Sequence, residues 1–211
     1  MPARLFLLSP AILTGLRAKQ LMSPRAKFSL AQQYQTPEGV PIGDAFAFMS
    51  ALYFRGKLAY ARRFAVPSPL IGGDGIFVIT SGYGLVPPDW RITEERMKRM
   101  RKIDVDVATR NYVKPLREHA QLLARALETE GDASAEVVLL GSVATGKYVD
   151  VLWPILGNRL RFPIAFAGLG DMARGGLMLR AARAGIELQY TTLDASRKRP
   201  PGATGKMPPL E

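Results

Sequence analysis

Four short apolar runs constrain this chain more than any other feature: Leu5–Leu8, Ile76–Ile79, Val137–Leu140 and a segment within Arg159–Phe166. Each is followed by a loop rich in Gly, Ser, Thr or Pro, and most of those loops lead into a stretch with helical periodicity. Runs of this length bounded by turn residues read as buried strands. Strands alternating with helices predict an α/β fold, a short, mainly parallel sheet with helices on both faces. Ile186–Thr191 is a further strand candidate, so four to five strands are expected.

The intervening segments fill in the helices. Asp44 is placed to N-cap one long, largely buried helix, AFAFMSALYFRGKLAYARRF, with Arg55, Lys57, Arg62 and Arg63 on its wetter side. Thr93 is placed to cap a basic helix, EERMKRMRK. Another helix is expected from Asn111 to Glu130, with Pro115 near its first turn. A fourth leads towards Leu156. A fifth spans Ala173–Ala184, with Gly185 as its C-terminal stop. Residues 1–193 are expected to form a single α/β domain. Residues 194–211 form a basic Pro/Gly-rich tail, expected to be disordered.

The 211 residues suit one domain with a real core. There is no Cys, which excludes disulfides, thiolate zinc sites and Cys-ligated iron–sulfur clusters and suits a reducing cytoplasm. The N-terminal run LFLLSPAIL is too short to span a membrane and reads as a strand rather than a signal peptide. Lys and Arg number 29 against 18 Asp and Glu, a formal net charge of +11. The excess is local as well as global. Between Arg91 and Arg117 stand nine basic residues and four acidic ones. Clustered positive charge points to a polyanion, so nucleic acid, DNA foremost, is the expected partner. Neither a membrane nor a protein partner is expected.

In parallel sheets ligands sit at the carboxyl ends of the strands. That directs attention to the loops Ser9–Arg17, Thr80–Asp89, Gly141–Tyr148 and Ala167–Arg174. The third spells G-x4-G-K from Gly141 to Lys147, but Tyr148 stands where a phosphate loop has Ser or Thr for magnesium. Its glycines still suit a nucleic-acid phosphate near a helix N-terminus, and a plain strand–helix turn is the alternative. In the fourth, Asp171 is an N-cap candidate. Arg174 in the first turn calls either for an external anion or simply for solvent. Asp104 and Asp106 lie in KIDVDV, and an extended backbone would put both carboxylates on one face. They suit either a general base or a helix cap with a salt bridge. His119, the one histidine, falls in a helical pattern on a polar face. No cofactor and no metal site is expected.

The segment VITSGYGLVPPD, Val78 to Asp89, resembles the strand-then-S-x-x-Y-G-L segment of small bacterial and phage domains distantly similar to the peroxide-stress protein family. Thr80 stands at the Ser position. It also resembles a stretch in the glycosylase-like domain of archaeosine synthases, a domain similar to uracil-DNA glycosylases. LYFRG, Leu52–Gly56, and Ile103–Asp106 match further segments of those relatives. Two glycosylase hallmarks are absent: the loop Ser9–Arg17 has no carboxylate, and no His-Pro-Ser follows the last strands.

The resemblance implies a DNA N-glycosylase acting on a flipped, modified base, with defence against phage as a possible setting. Asp104 or Asp106 would be the catalytic carboxylate. Ser81, Tyr83, Gly84, Tyr53, Gly141 and Ser142 would form the base pocket, through backbone donors and aromatic stacking. Arg17, Lys98, Arg101, Lys147, Tyr148 and Arg174 would hold phosphates. A non-catalytic DNA- or RNA-binding protein and a nucleoside-processing or base-exchange enzyme are the alternatives.

Overall fold

The computed structural model describes residues 2–129, 131, 134–143 and 145–192; the proposed tail from residue 194 lies outside them. In chain order the elements are β1 (Arg4–Leu8), α1 (Leu16–Leu21), α2 (Ser29–Tyr34), β2 (Val40–Pro41), α3 (Ile42–Met49) and α4 (Ala51–Phe64). Then follow β3 (Ile76–Thr80), β4 (Gly84–Val86), β5 (Arg91–Ile92), α5 (Glu94–Met100), α6 (Arg110–Thr129) and β6 (Glu136–Leu140). The chain continues through α7 (Val149–Leu156), β7 (Leu160–Pro163), α8 (Asp171–Ala184) and β8 (Tyr190–Thr192).

The main sheet has six strands in the order β4-β3-β1-β6-β7-β8. β3, β1, β6 and β7 run parallel, and the two edge strands are antiparallel. Period-2 alternation along the strands divides the core. Phe6 and Leu8 of β1, with Val138 and Leu140 of β6, face a cluster built with α1–α5 and α8. Leu5 and Leu7, with Val137 and Leu139, face the cluster built with α6 and α7. A strand buried on both faces must be apolar throughout, which is why β1 reads as an unbroken hydrophobic run.

The sheet has one more strand than the upper expectation of five. The addition is β4, three residues long, which lies in the loop predicted after β3. Gly82 and Gly84, at φ 105° and 66°, turn the chain back on itself there. Thr80 Oγ1 clamps the turn by donating to the Gly84 carbonyl at 2.9 Å and accepting from the Tyr83 amide at 3.2 Å. His119 Nδ1 lies 3.1 Å from the Leu85 amide and pins the new edge strand to α6. His119 therefore has a structural contact rather than a free polar face.

Three further expectations are corrected. The long helix from Ala45 is two helices, separated at Ser50 and Ala51, where Ala51 takes a left-handed φ of 43°. Asp44 lies inside the first turn of α3, whose N-cap is Pro41. Asp171 is not the cap of α8 but its first residue; Gly170 is the cap, and Asp171 Oδ1 lies 3.9 Å from Arg174 instead. Thr93 does cap α5, accepting from the Arg96 amide at 3.3 Å. Gly185 closes α8 in the left-handed conformation at φ 68°. Among the described residues no helix is long and apolar enough to cross a membrane.

Candidate functional site

β1 is followed by β3 on one side and, later in the chain, by β6 on the other. The loops after β1 and β6 therefore diverge, and a crevice opens at their carboxyl ends, the usual ligand position in such sheets. A cleft of about 240 Å³ occupies this position. Its walls are Pro10–Thr14 after β1, Ser81 after β3, Met100–Val105 between α5 and α6 except Lys102, and Lys147 and Tyr148 before α7.

Asp104 stands on this wall and Asp106 does not. Local packing explains the difference. Ser81 Oγ donates to the Met100 carbonyl at 2.8 Å and ties the end of α5 to the end of β3. Ile103 then packs over Gly82, where an added Cβ would come within 2.6 Å of Ile103 Cδ1. Asp104 follows directly and reaches the rim, exposed. Asp106 accepts from the Ala108 amide at 2.8 Å and serves the turn into α6. The two carboxylates thus have different environments.

The predicted pocket residues divide in the same way. Ser81 lines the cleft. Gly141 packs on Ser9, whose Cβ would lie 3.0 Å from a Cβ placed on Gly141; Ser142, half-buried, follows it. Tyr83 is drawn away, its ring 5.1 Å from that of Trp90 and 4.9 Å from the Arg99 guanidinium. Gly84 is fixed against Pro115 and His119. The Tyr53 ring is buried and one face is already covered by the Lys57 ammonium at 3.9 Å. Neither of the two tyrosines expected to stack on a base presents a free ring to the cleft; the aromatic side chain on its wall is Tyr148.

Of the predicted phosphate ligands, Arg101, Lys147 and Tyr148 border the cleft. Arg17 is exposed on α1 and donates to the Phe48 carbonyl at 3.4 Å. Lys98 lies on a separate face of α5, paired with Glu94 at 2.7 Å. Arg174 Nε donates to the Phe166 carbonyl at 3.2 Å, so the chain itself supplies a partner for this first-turn cation.

The most distinctive group at the switch point is one that was expected in solvent. Lys57 is 1% exposed. Its Nζ donates to Ser9 Oγ at 2.7 Å and to the Ser9 carbonyl at 2.9 Å. No carboxylate lies within ion-pair distance of it among the described residues. Burial lowers its pKa to about 7; Asp171 opposes this, and Arg174 and Lys147 add to it. Close packing of α4 on α8 brings these groups together. A Cβ on Gly56 would meet Gly175 O at 2.5 Å, and one on Gly175 would meet Tyr53 Cα at 2.7 Å. A signal for Lys57 existed in the sequence: it lies four residues after Tyr53 and three before Tyr60, on the apolar stripe of α4 rather than opposite it.

Comparison with protein-family models, with curated proteins and with solved structures found no match. Among the described residues no group of three His, Cys, Asp or Glu side chains is placed to hold a metal ion.

Proposed function

We propose that this chain is a DNA N-glycosidase that takes an extrahelical, modified base into the switch-point cleft. The observation that carries the reading is Asp104, an exposed carboxylate on the wall of a cleft that also has Arg101 and Lys147 on its border. A polyanion is drawn to the two cations, and a base within a duplex must leave the stack to reach such a recess. The apolar side chains of Ile12, Leu13, Ile103 and Val105 would enclose the base. As the glycosidic C–N bond breaks, its electron pair leaves with the base and positive charge grows on the sugar. Asp104 stabilises that charge and accepts a proton from the water that adds to the sugar carbon. The likeness of Val78–Asp89 to the glycosylase-like domains, and the parallel sheet sandwiched by helices, support the same reading.

The test is base release from plain, uracil-containing and hypermodified phage DNA, measured as abasic sites. The wild type is expected to release base from at least one of these. Asp104→Asn should lower release at least 100-fold, in line with loss of a general base. Asp106→Asn should leave the rate within about threefold, because that side chain serves a turn. No release from any substrate by the wild type would overturn the reading; full activity of Asp104→Asn would overturn the assignment of the carboxylate.

The basic surface of α5 and the turn after it, with Lys98, Arg99 and Lys102 exposed, favours a second reading in which the protein binds nucleic acid without chemistry. Salt-sensitive binding with no product on the same panel would be its signature.

A further inference from the structure

We infer that Lys57, Ser9 and Tyr148 form a proton relay that serves the departing base. This rests on the glycosidase reading and extends it from the sugar to the leaving group. Ser9 directly follows β1 and is 5% exposed. Its Oγ accepts from Lys57 Nζ at 2.7 Å and donates to the Leu140 carbonyl at 3.2 Å. Tyr148 Oη is turned towards Ser9, and Tyr148 is itself part of the cleft wall. The three groups thus run from a fully buried ammonium to the ligand space.

Below about pH 7, where Lys57 keeps its proton, a purely structural reading leaves its charge without a counter-ion. Its N–H groups meet the two Ser9 oxygens and the Tyr53 ring face. Each contact satisfies a donor, but none neutralises a charge. The groups facing the amine are Tyr53 on α4, Asp171 and Arg174 on α8, Ser9 after β1 and Lys147 beside Tyr148. Asp171, the acid among them, is 66% exposed and sits beside Arg174. The surroundings are therefore short of negative charge. Tyr53 Oη adds a second sign: it is buried, faces Arg174 and Ser9, and reaches hydrogen-bond geometry to neither. A base leaving as an anion supplies the missing charge.

The step balances as follows. The glycosidic C–N bond breaks and its electron pair goes to the base nitrogen. The Tyr148 hydroxyl proton passes to that nitrogen, the Ser9 hydroxyl turns from the Leu140 carbonyl and gives its proton to Tyr148, and a Lys57 proton replaces it on Ser9. Water adds to the sugar carbon and its proton goes to Asp104. Lys57 is left neutral and Asp104 protonated, and exchange with solvent restores both. Burial keeps the Tyr148 phenol protonated, as a donor must be, by pushing its pKa upward. Lys57, with its pKa near 7, gives up a proton readily. In this scheme Tyr148 is the catalytic residue, and Ser9 and Lys57 act through it.

The experiment is the pH profile of single-turnover base release for the wild type, Lys57→Met, Ser9→Ala and Tyr148→Phe, with DNA binding measured in parallel. The wild-type rate should fall as pH rises past about 7, with loss of the Lys57 proton. Lys57→Met should be at least tenfold slower and lose that alkaline limb. Tyr148→Phe, which removes only a hydroxyl, should be slowed at least tenfold with binding unchanged. Adding Lys57→Met to Tyr148→Phe should slow release no further, because both belong to one relay. Base release by the wild type together with an unaltered rate in Tyr148→Phe, or an alkaline limb retained in Lys57→Met, overturns the relay alone. Absence of release by the wild type overturns the relay and the glycosidase reading together.

Discussion

At the scale of single residues, Lys57 makes the sharpest physical statement in the molecule. A charged amine taken out of water without a counter-ion opposes folding, and the protein lowers that cost by letting the amine lose its proton. Its folded-state pKa of about 7 lies below the ordinary 10.5. Between those values the unfolded chain binds a proton that the folded chain has released, so stability rises with pH across that window. Below pH 7 the amine is charged in both states and the full burial cost is felt. The slope is at most about 1.4 kcal/mol per pH unit. Urea melts at pH 7 and pH 9 should show the wild type gaining about 2 kcal/mol relative to Lys57→Met. Parallel pH dependence in the two proteins would mean that Lys57 keeps its charge when buried. Asp104 and Asp106 make the complementary point. Identical side chains two positions apart have different surroundings because one meets an amide and the other the cleft.

At the scale of elements, the α4–α8 contact decides whether the site exists. Gly56 and Gly175 let the two helices meet backbone to backbone, which sets Arg174 beside Tyr53 and encloses Lys57. A methyl group at Gly56 would fall 2.5 Å from the Gly175 carbonyl oxygen, and backbone has no rotamer with which to yield. Gly56→Ala should therefore destabilise the fold by about 1–3 kcal/mol, despite the better helix propensity of Ala. It should also expose Lys57, visible as an amine that titrates closer to 10.5. A stabilised Gly56→Ala variant would show that the helices separate without penalty. The hairpin of β3 and β4 works in the same way. Thr80 and the two positive-φ glycines close it, and Gly82 admits Ile103, which sets Asp104 at the rim.

At the scale of the whole molecule, the net charge of +11 acquires a direction. Arg101 and Lys147 both border the cleft, whereas Lys98 lies elsewhere, paired with Glu94. If DNA lies across the cleft, Arg101→Ala and Lys147→Ala should each reduce the slope of log affinity against log salt by about one. Lys98→Ala should change it less. Equal effects for all three would mean diffuse binding over the basic surface. The sequence by itself determined the α/β class, the four central strands, the caps at Thr93 and Gly185 and three of the loops that border the cleft, those after β1, β3 and β6. These follow from local periodicity and turn chemistry, which each segment carries regardless of its neighbours. Ala167–Arg174 does not line the cleft, and the segment Met100–Val105 was not foreseen as part of its border. Strand β4 was hidden because a three-residue edge strand owes its pairing to a partner rather than to its own pattern. The break at Ala51 was hidden because apolar residues run on across it, Phe48 and Met49 before and Leu52, Tyr53 and Phe54 after, with no Gly or Pro to mark it. Asp104 was separated from Asp106, and Tyr83 and Tyr53 were turned from the cleft, by contacts with Gly82, Trp90 and Lys57, which lie about twenty residues back, seven residues on and one helical turn on. Lys57 was the largest reversal. A lysine's usual place is in water, and only the joint enclosure by β1, α4 and α8 moved it inside, because burial belongs to the packed assembly and not to the residue.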